Sequence, residues 1–300
     1  MTSFFRVGLV AAIAAATGLG AVIAWPIGVL PPPLIELEGD VNRGAYLARA
    51  SGCIACHSDF RSGGAPLAGG VQLETPFGAI YSPNLTTDSQ EGIGDWDVQK
   101  FAVAVRQGIS PDGSPYYPAF PYPFYMNFTD QEIVDLWAAF QTVPASDTPS
   151  REPELMFPFN QRWGMKLWRA AFLEPPHTDP VPGNDGIWNR GRELVEGAAH
   201  CAACHTGRNF AGARMSDTEH FQGNADLPGG DKSPAIDAET LRERGWTVES
   251  LAYGLRSGIM PDGDVFGGGM GEVVNYGTSF LTDADRTAIA TYLMDVHEGG

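Results

Sequence analysis

Four cysteines are all that the sequence contains, and basic residues are scarce: 19 Lys and Arg stand against 36 Asp and Glu, for a formal net charge of −17. Without clustered cations, nucleic acid is excluded as a partner, because phosphate binding needs Lys and Arg in groups. Charged residues make up only 18% of the chain, whereas Gly (37) and Pro (23) are plentiful, a mix that excludes long helical bundles and extended sheets and favours a loop-rich fold with short helices. Hydrophobic residues at 43% make a packed core feasible, and 300 residues allow one large domain or two of ordinary size. The acid surplus either steers a basic protein patch at long range or serves solubility alone.

One long run lacks charge, from Val7 to Leu30, and it ends at Pro31-Pro32-Pro33. A membrane-spanning helix needs about 20 apolar residues and a signal-peptide core about 7–15. Length favours a retained anchor, with Arg6 inside and Trp25 at the outer interface. Richness in Ala and Gly favours a signal cleaved after Ala24. Either way the rest of the chain is expected outside the cytoplasm.

That remainder repeats itself. Asn42-Arg43-Gly44 leads to Cys53-Ile54-Ala55-Cys56-His57, and Asn189-Arg190-Gly191 leads to Cys201-Ala202-Ala203-Cys204-His205. In the same order follow Ser82-Pro83 and Ser233-Pro234, Arg106-Gln107-Gly108 and Arg256-Ser257-Gly258, Pro111-Asp112-Gly113 and Pro261-Asp262-Gly263, and Thr129-Asp130 and Thr282-Asp283. Kept order and spacing mark a duplication. Each copy is predicted to hold three main helices, near 42–52, 96–107 and from Thr129, and near 189–199, 247–257 and from Thr282. The first leads into the cysteine motif, the second has apolar residues at helical spacing, and the third starts at a Thr cap. The expected boundaries are an N-terminal segment over 1–33, a first domain over 34–143, a strap over 144–186 and a second domain over 187–300. The strap centre, Phe157 to Trp168, is too apolar for a free linker and is expected to pack across both domains.

Cys-x-x-Cys-His is the attachment signature of haem c: two thioethers hold the porphyrin and the following His supplies the proximal nitrogen. Cys53, Cys56 and His57, and Cys201, Cys204 and His205, are therefore the candidate binding residues for two covalent haems. A zinc site, a redox Cys-x-x-Cys pair or two disulfides are the competing uses, and a four-cysteine zinc site leaves both histidines unexplained. A thioether ligand opposite His would raise the reduction potential. Aligned on Asp-Gly, Met270 is the candidate sixth ligand of the second site, in what reads as a flexible glycine loop. The matching residue in the first copy is Phe120, which cannot bind iron, so Met126 becomes the candidate there; Met156, Met165 and Met260 are weaker ones. His177, His200, His220 and His297 read as ordinary histidines. Pro83 and Pro234 are expected beside the proximal rings, with a nearby carbonyl accepting the Nδ1 proton.

These motifs, with Thr75-Pro76-Phe77-Gly78, Tyr117-Pro118-Ala119-Phe120-Pro121 and Phe157 to Trp168, resemble the cytochrome c subunits of membrane-associated bacterial alcohol, aldehyde and gluconate dehydrogenases. The resemblance implies an all-α chain of two tandem cytochrome c domains on the periplasmic face of the cytoplasmic membrane, preceded by a membrane-spanning or signal helix. It implies an electron-transfer subunit without catalysis of its own, between a dehydrogenase and a quinone, a terminal oxidase or another cytochrome. Relatives often carry three haem motifs, and many have Met where this chain has Phe120. The alternatives are a two-haem enzyme with one open haem, such as a peroxidase or thiosulfate dehydrogenase, and a tethered shuttle between respiratory complexes. Around Phe120, however, there is little acid–base equipment for peroxide chemistry.

Overall fold

The computed structural model describes residues 2–28, 37–174, 180–227 and 230–295. The N-terminal run forms α1, Thr2–Ala24. The first copy follows with α2 (Val41–Ala50), α3 (Cys53–His57), α4 (Val98–Gln107), α5 (Tyr122–Tyr125) and α6 (Asp130–Phe140). In the strap lies α7 (Gly164–Phe172). The second copy holds α8 (Gly186–Glu193), which runs into a π turn over Leu194–Ala198, then α9 (Ala202–His205), α10 (Ser216–Glu219), α11 (Ala238–Glu243), α12 (Val248–Ser257), α13 (Gly268–Tyr276) and α14 (Asp283–Leu293).

The main helices start where the capping residues direct. Asp40 accepts from the Arg43 N–H at the head of α2, Thr129 and Glu132 form a reciprocal capping box on α6, and Thr282 accepts from the Asp285 N–H on α14. Each copy closes by crossing its first helix against its last, α2 on α6 and α8 on α14. Glycine makes that crossing close: a Cβ on Gly44 would stand 1.9 Å from the Asp135 carbonyl oxygen, and one on Gly191 would stand 2.0 Å from that of Ala288. The same pair of helices is pinned by an arginine. Arg43 binds Asp135 at 2.6 Å, and Arg190 binds Asp285 at 2.9 Å. Around these crossings the core gathers Phe101, Ile133, Leu136 and Phe140 in the first copy and Val195, Leu251, Ile289 and Leu293 in the second.

Two expectations about the fold are corrected. The chain is not all-α. A three-stranded antiparallel sheet joins β1 (Gln72–Thr75), β2 (Gly78–Tyr81) and β3 (Glu154–Leu155), with Thr75 opposite Gly78 and Gly78 opposite Leu155. Pro76-Phe77 makes the tight turn, and glycine at 78 lets the third strand approach, since a Cβ there would lie 2.2 Å from the Glu154 carbonyl oxygen. The membrane-spanning helix is also withdrawn: among the described residues no helix is long and apolar enough to cross a membrane. The Ala and Gly that dominate α1 each bring little apolar area. The end of α1 is held to the strap instead, where Lys166 Nζ donates to the Ile23 and Trp25 carbonyls at 2.6 and 2.7 Å. Pro31-Pro32-Pro33, His177 and His297 lie outside the described residues.

The strap touches both copies. Phe159 lies against Phe77 at 4.4 Å, Arg169 donates to the Gln107 carbonyl at 2.6 Å, and Trp168 Nε1 donates to the Ala211 carbonyl at 3.0 Å. No residue of α7 is buried.

Candidate functional site

Both cysteine motifs are short helical turns at the end of the first helix of their copy, and the chain around each is folded alike. His57 Nδ1 lies 2.8 Å from the Pro83 carbonyl oxygen, and His205 Nδ1 lies 2.8 Å from that of Pro234. A carbonyl only accepts, so Nδ1 carries the proton in each ring and Nε2 is left free to bind a metal. The acceptor is the proline's own carbonyl. Gly69 N–H donates to the His57 carbonyl at 2.8 Å and Gly223 N–H to that of His205 at 2.9 Å. Leu67 and Phe221, two residues earlier, both take the left-handed backbone at φ 59°. The Leu67 N–H is held by Ser58 Oγ and the Phe221 N–H by Thr206 Oγ1. One scaffold is built twice to fix one imidazole.

The cysteines are unpaired. Burial pushes the Cys53 and Cys201 thiols up to about 12, and burial together with Cys204 and Glu272 pushes Cys56 up to about 11. Burial also raises Cys204, against the pull of Arg208. Thiols held neutral are poor nucleophiles. Among the described residues no three His, Cys, Asp or Glu side chains are placed together to hold a metal ion. Burial lowers the pKa of His57 and His205, against the raising effect of their proline bonds, so both rings are neutral and competent as ligands. Two free thiols, an oriented imidazole and a surrounding apolar core fit covalent haem c at each motif.

In the segments that follow α4 and α12 the copies part. Main-chain bonds from the Tyr116 N–H to the Gly108 carbonyl and from the Phe266 N–H to the Gly258 carbonyl register the two loops residue for residue. That register places Phe120 where the second copy has Met270. Met270 packs against the core from the first turn of α13, so the expected flexible glycine loop is in fact the head of a helix. Phe120 sits among the rings of Tyr116, Tyr125 and Tyr122 at 5.8, 5.8 and 6.3 Å. Met126 closes the C-terminal end of α5, half-buried, its N–H donating to the Tyr122 carbonyl at 3.0 Å. Met260 packs against the core, whereas Met156 is exposed in the strap and Met165 lies half-buried on α7.

Sequence reasoning missed how the copies meet. The helix that carries Met270 packs on the first motif: α13 touches α3, Phe60 lies against Tyr276 at 5.2 Å, and Arg61 pairs with Glu272. In return α5, just after Phe120, packs on the π turn that leads into the second motif. Each attachment turn is therefore backed by the other copy's distal segment. His200, read as ordinary, stands in this junction. A second missed group lies behind Cys201, where Glu196 accepts from His220 Nε2 and Tyr292 Oη, both at 2.9 Å. Burial raises the Glu196 carboxyl, but His220, Tyr292 and Arg214 more than offset this and hold it below the ordinary carboxylate range.

Residues 41–140 match the family model described as cytochrome c. The chain is 37% identical over 300 residues to a diheme cytochrome c-type of Cereibacter sphaeroides, covering 97% of this chain and 98% of that one. It is 38% identical over 261 residues to the cytochrome c subunit of a quinone-dependent alcohol dehydrogenase of Gluconacetobacter polyoxogenes, covering 84% of this chain and 55% of the relative. To a nicotinate dehydrogenase subunit of Pseudomonas putida it is 37% identical over 283 residues, 92% of this chain but 23% of that one. The chain thus spans about half of one dehydrogenase subunit and about a quarter of the other, but nearly all of the diheme protein. With the oriented imidazole behind each thiol pair already pointing to covalent haem c, this end-to-end likeness places the chain in the cytochrome c family.

Proposed function

We propose that the chain carries two haem c groups, one on Cys53 and Cys56 and one on Cys201 and Cys204, and relays electrons from a periplasmic dehydrogenase to quinone or a terminal oxidase. The observation that carries this reading is the twin bond from His57 to Pro83 and from His205 to Pro234, each 2.8 Å, which leaves Nε2 free to hold an iron in both copies. A bound haem supplies a one-electron iron couple. His57 and His205 are the proximal ligands, their basicity raised by the proline carbonyls. Met270 would hold the second iron opposite His205, and Met126 the first opposite His57. The dehydrogenase partner is supported by the names of the relatives, and the net charge of −17 suits a partner with a basic face. The place of action is outside the cytoplasm, supported by the uncharged run from Val7 to Leu30, which would serve as an export signal.

Counting haems per chain tests the assignment. Cys53→Ala with Cys56→Ala should leave one haem, and all four cysteines changed should leave none. Two haems retained after the first pair is changed would contradict it. Phe120 supports a second reading, with an open first haem and peroxidase or thiosulfate chemistry. Cyanide binding to the oxidised holoprotein at one haem favours that reading, and no binding favours the relay.

A further inference from the structure

His200 immediately precedes Cys201, as Gly52 immediately precedes Cys53. Both take the left-handed backbone, with φ 67° at Gly52 and 38° at His200. Glycine adopts that turn without steric cost and a side chain does not, so the turn accounts for Gly52 but not for His200. Strain of this kind persists where the side chain it positions is used.

The imidazole of His200 reaches out of its own copy. Its Nδ1 lies 2.8 Å from the Ala198 carbonyl oxygen, which fixes the ring plane. Across the junction the ring lies 5.8 Å from that of Phe124 and edge-on to Tyr125, at 5.7 Å and 90°. Its Cε1 lies 3.6 Å from the place a Cβ on Gly52 would take. Tyr125 in turn donates to the Ser51 carbonyl at 2.6 Å, so the ring of His200 is boxed in by the residues that open the first motif. The two positions correspond, and they meet: the ring of His200 reaches contact distance of the place a side chain on Gly52 would begin.

We propose that His200 is a positioning residue for the electron relay: its ring is the spacer that sets the separation and relative orientation of the two attachment turns, and with them of the groups they carry. This rests on the two-haem reading. Glycine, the residue of the first copy, would keep the backbone and remove the spacer. Nothing in the coordination of either iron would change, because His57 and His205 keep their proline bonds.

The test is circular dichroism in the Soret band of the reduced holoprotein, where two haems held close at a fixed angle give a bisignate couplet. The wild-type chain should show the couplet. His200→Gly should lose it while retaining both haems and the iron–sulfur band of the second. His200→Asn, which also tolerates the left-handed backbone, should behave as the glycine variant does and covers the case in which glycine unfolds the turn. An unchanged couplet in the Gly and Asn variants overturns the inference, as does its absence from a wild-type chain that carries two haems. A wild-type chain with fewer than two haems overturns the two-haem reading instead.

Discussion

The two copies share the floor of the site and differ in its roof. Below, His57 and His205 are held by the same proline carbonyl at the same 2.8 Å, and Leu67 and Phe221 share a φ of 59°. Above, the first copy puts Phe120 inside a ring of tyrosines where the second puts Met270 at the head of a helix. A duplicated domain has kept what attaches and orients a cofactor and has varied what tunes it. In haem proteins the axial ligand and its surroundings set the potential, so two haems held on equal floors under unequal roofs would differ in potential. A relay benefits from that, since an ordered pair of potentials gives electron flow a direction.

The comparison can be broken most severely at the shared crossing. Gly191→Val would drive a side chain into the Ala288 carbonyl, and Gly44→Val would do the same at Asp135. Each should cost about 3 kcal/mol, the upper end for overpacking, because the obstacle is backbone. Denaturant titration should show the two losses to be of similar size; a tolerated valine at either site would refute the close crossing.

Replacing the buried acid of the crossing should cost less, about 2 kcal/mol for a charge-assisted hydrogen-bond pair. Burial pushes Asp135 and Asp285 up, but Arg43, the Asp40 N–H and Gln131 at the first, and Arg190 and Tyr46 at the second, more than offset it, and both carboxyls end below the ordinary range. A depressed folded pKa gives stability that is complete above the unfolded value of about 4 and is lost as pH falls through the folded one. Unfolding midpoints measured from pH 6 down to pH 2 should therefore drop for the wild-type chain. In Asp135→Asn the drop should be smaller, from a lower starting point. An equal drop in the variant would detach Arg43 from the acid response.

Roof substitutions should leave stability nearly intact and move the potentials. Met270→Ala should abolish the iron–sulfur band of one haem and lower that haem's potential, and Met126→Ala should do the same to the other. An unchanged spectrum in either variant removes that methionine from the ligand set. Phe120→Met in the Met126→Ala background tests the comparison from the other direction: a thioether at the position that matches Met270 should restore the iron–sulfur band and bring the two potentials together in a redox titration.

The smallest effect is expected at the seam between copies. Tyr46 Oη donates to Asp285 at 2.6 Å and accepts from the Thr282 N–H at 3.1 Å, an interaction that joins the two copies. Tyr46→Phe should cost about 1 kcal/mol, read as a small fall in the denaturant midpoint.

Much of this is legible in the chain. The paired Cys-x-x-Cys-His motifs carry the attachment chemistry in five consecutive residues, and the Thr caps at 129 and 282 mark where α6 and α14 begin. Asn-Arg-Gly is visible as a repeat, but its meaning is not: Arg43 and Gly44 act on residues more than ninety positions away. The hairpin at 72–81 is hidden because four-residue strands carry too little periodicity, and its third strand comes from the strap. The helix at Met270 reads as a loop because Gly267, Gly268 and Gly269 oppose helix, and packing of Val274 overrides them. The left-handed turn at His200 leaves no trace in residue type, and it shows only when its twin, Gly52, is set beside it.

The central claim is that both motifs hold haem, and peptide mapping of the holoprotein measures it directly. Protease digestion followed by mass analysis should find the peptide bearing Cys53 and Cys56 and the peptide bearing Cys201 and Cys204 each heavier by one haem, with no free thiol in either. A motif recovered with its two cysteines unmodified would contradict the account.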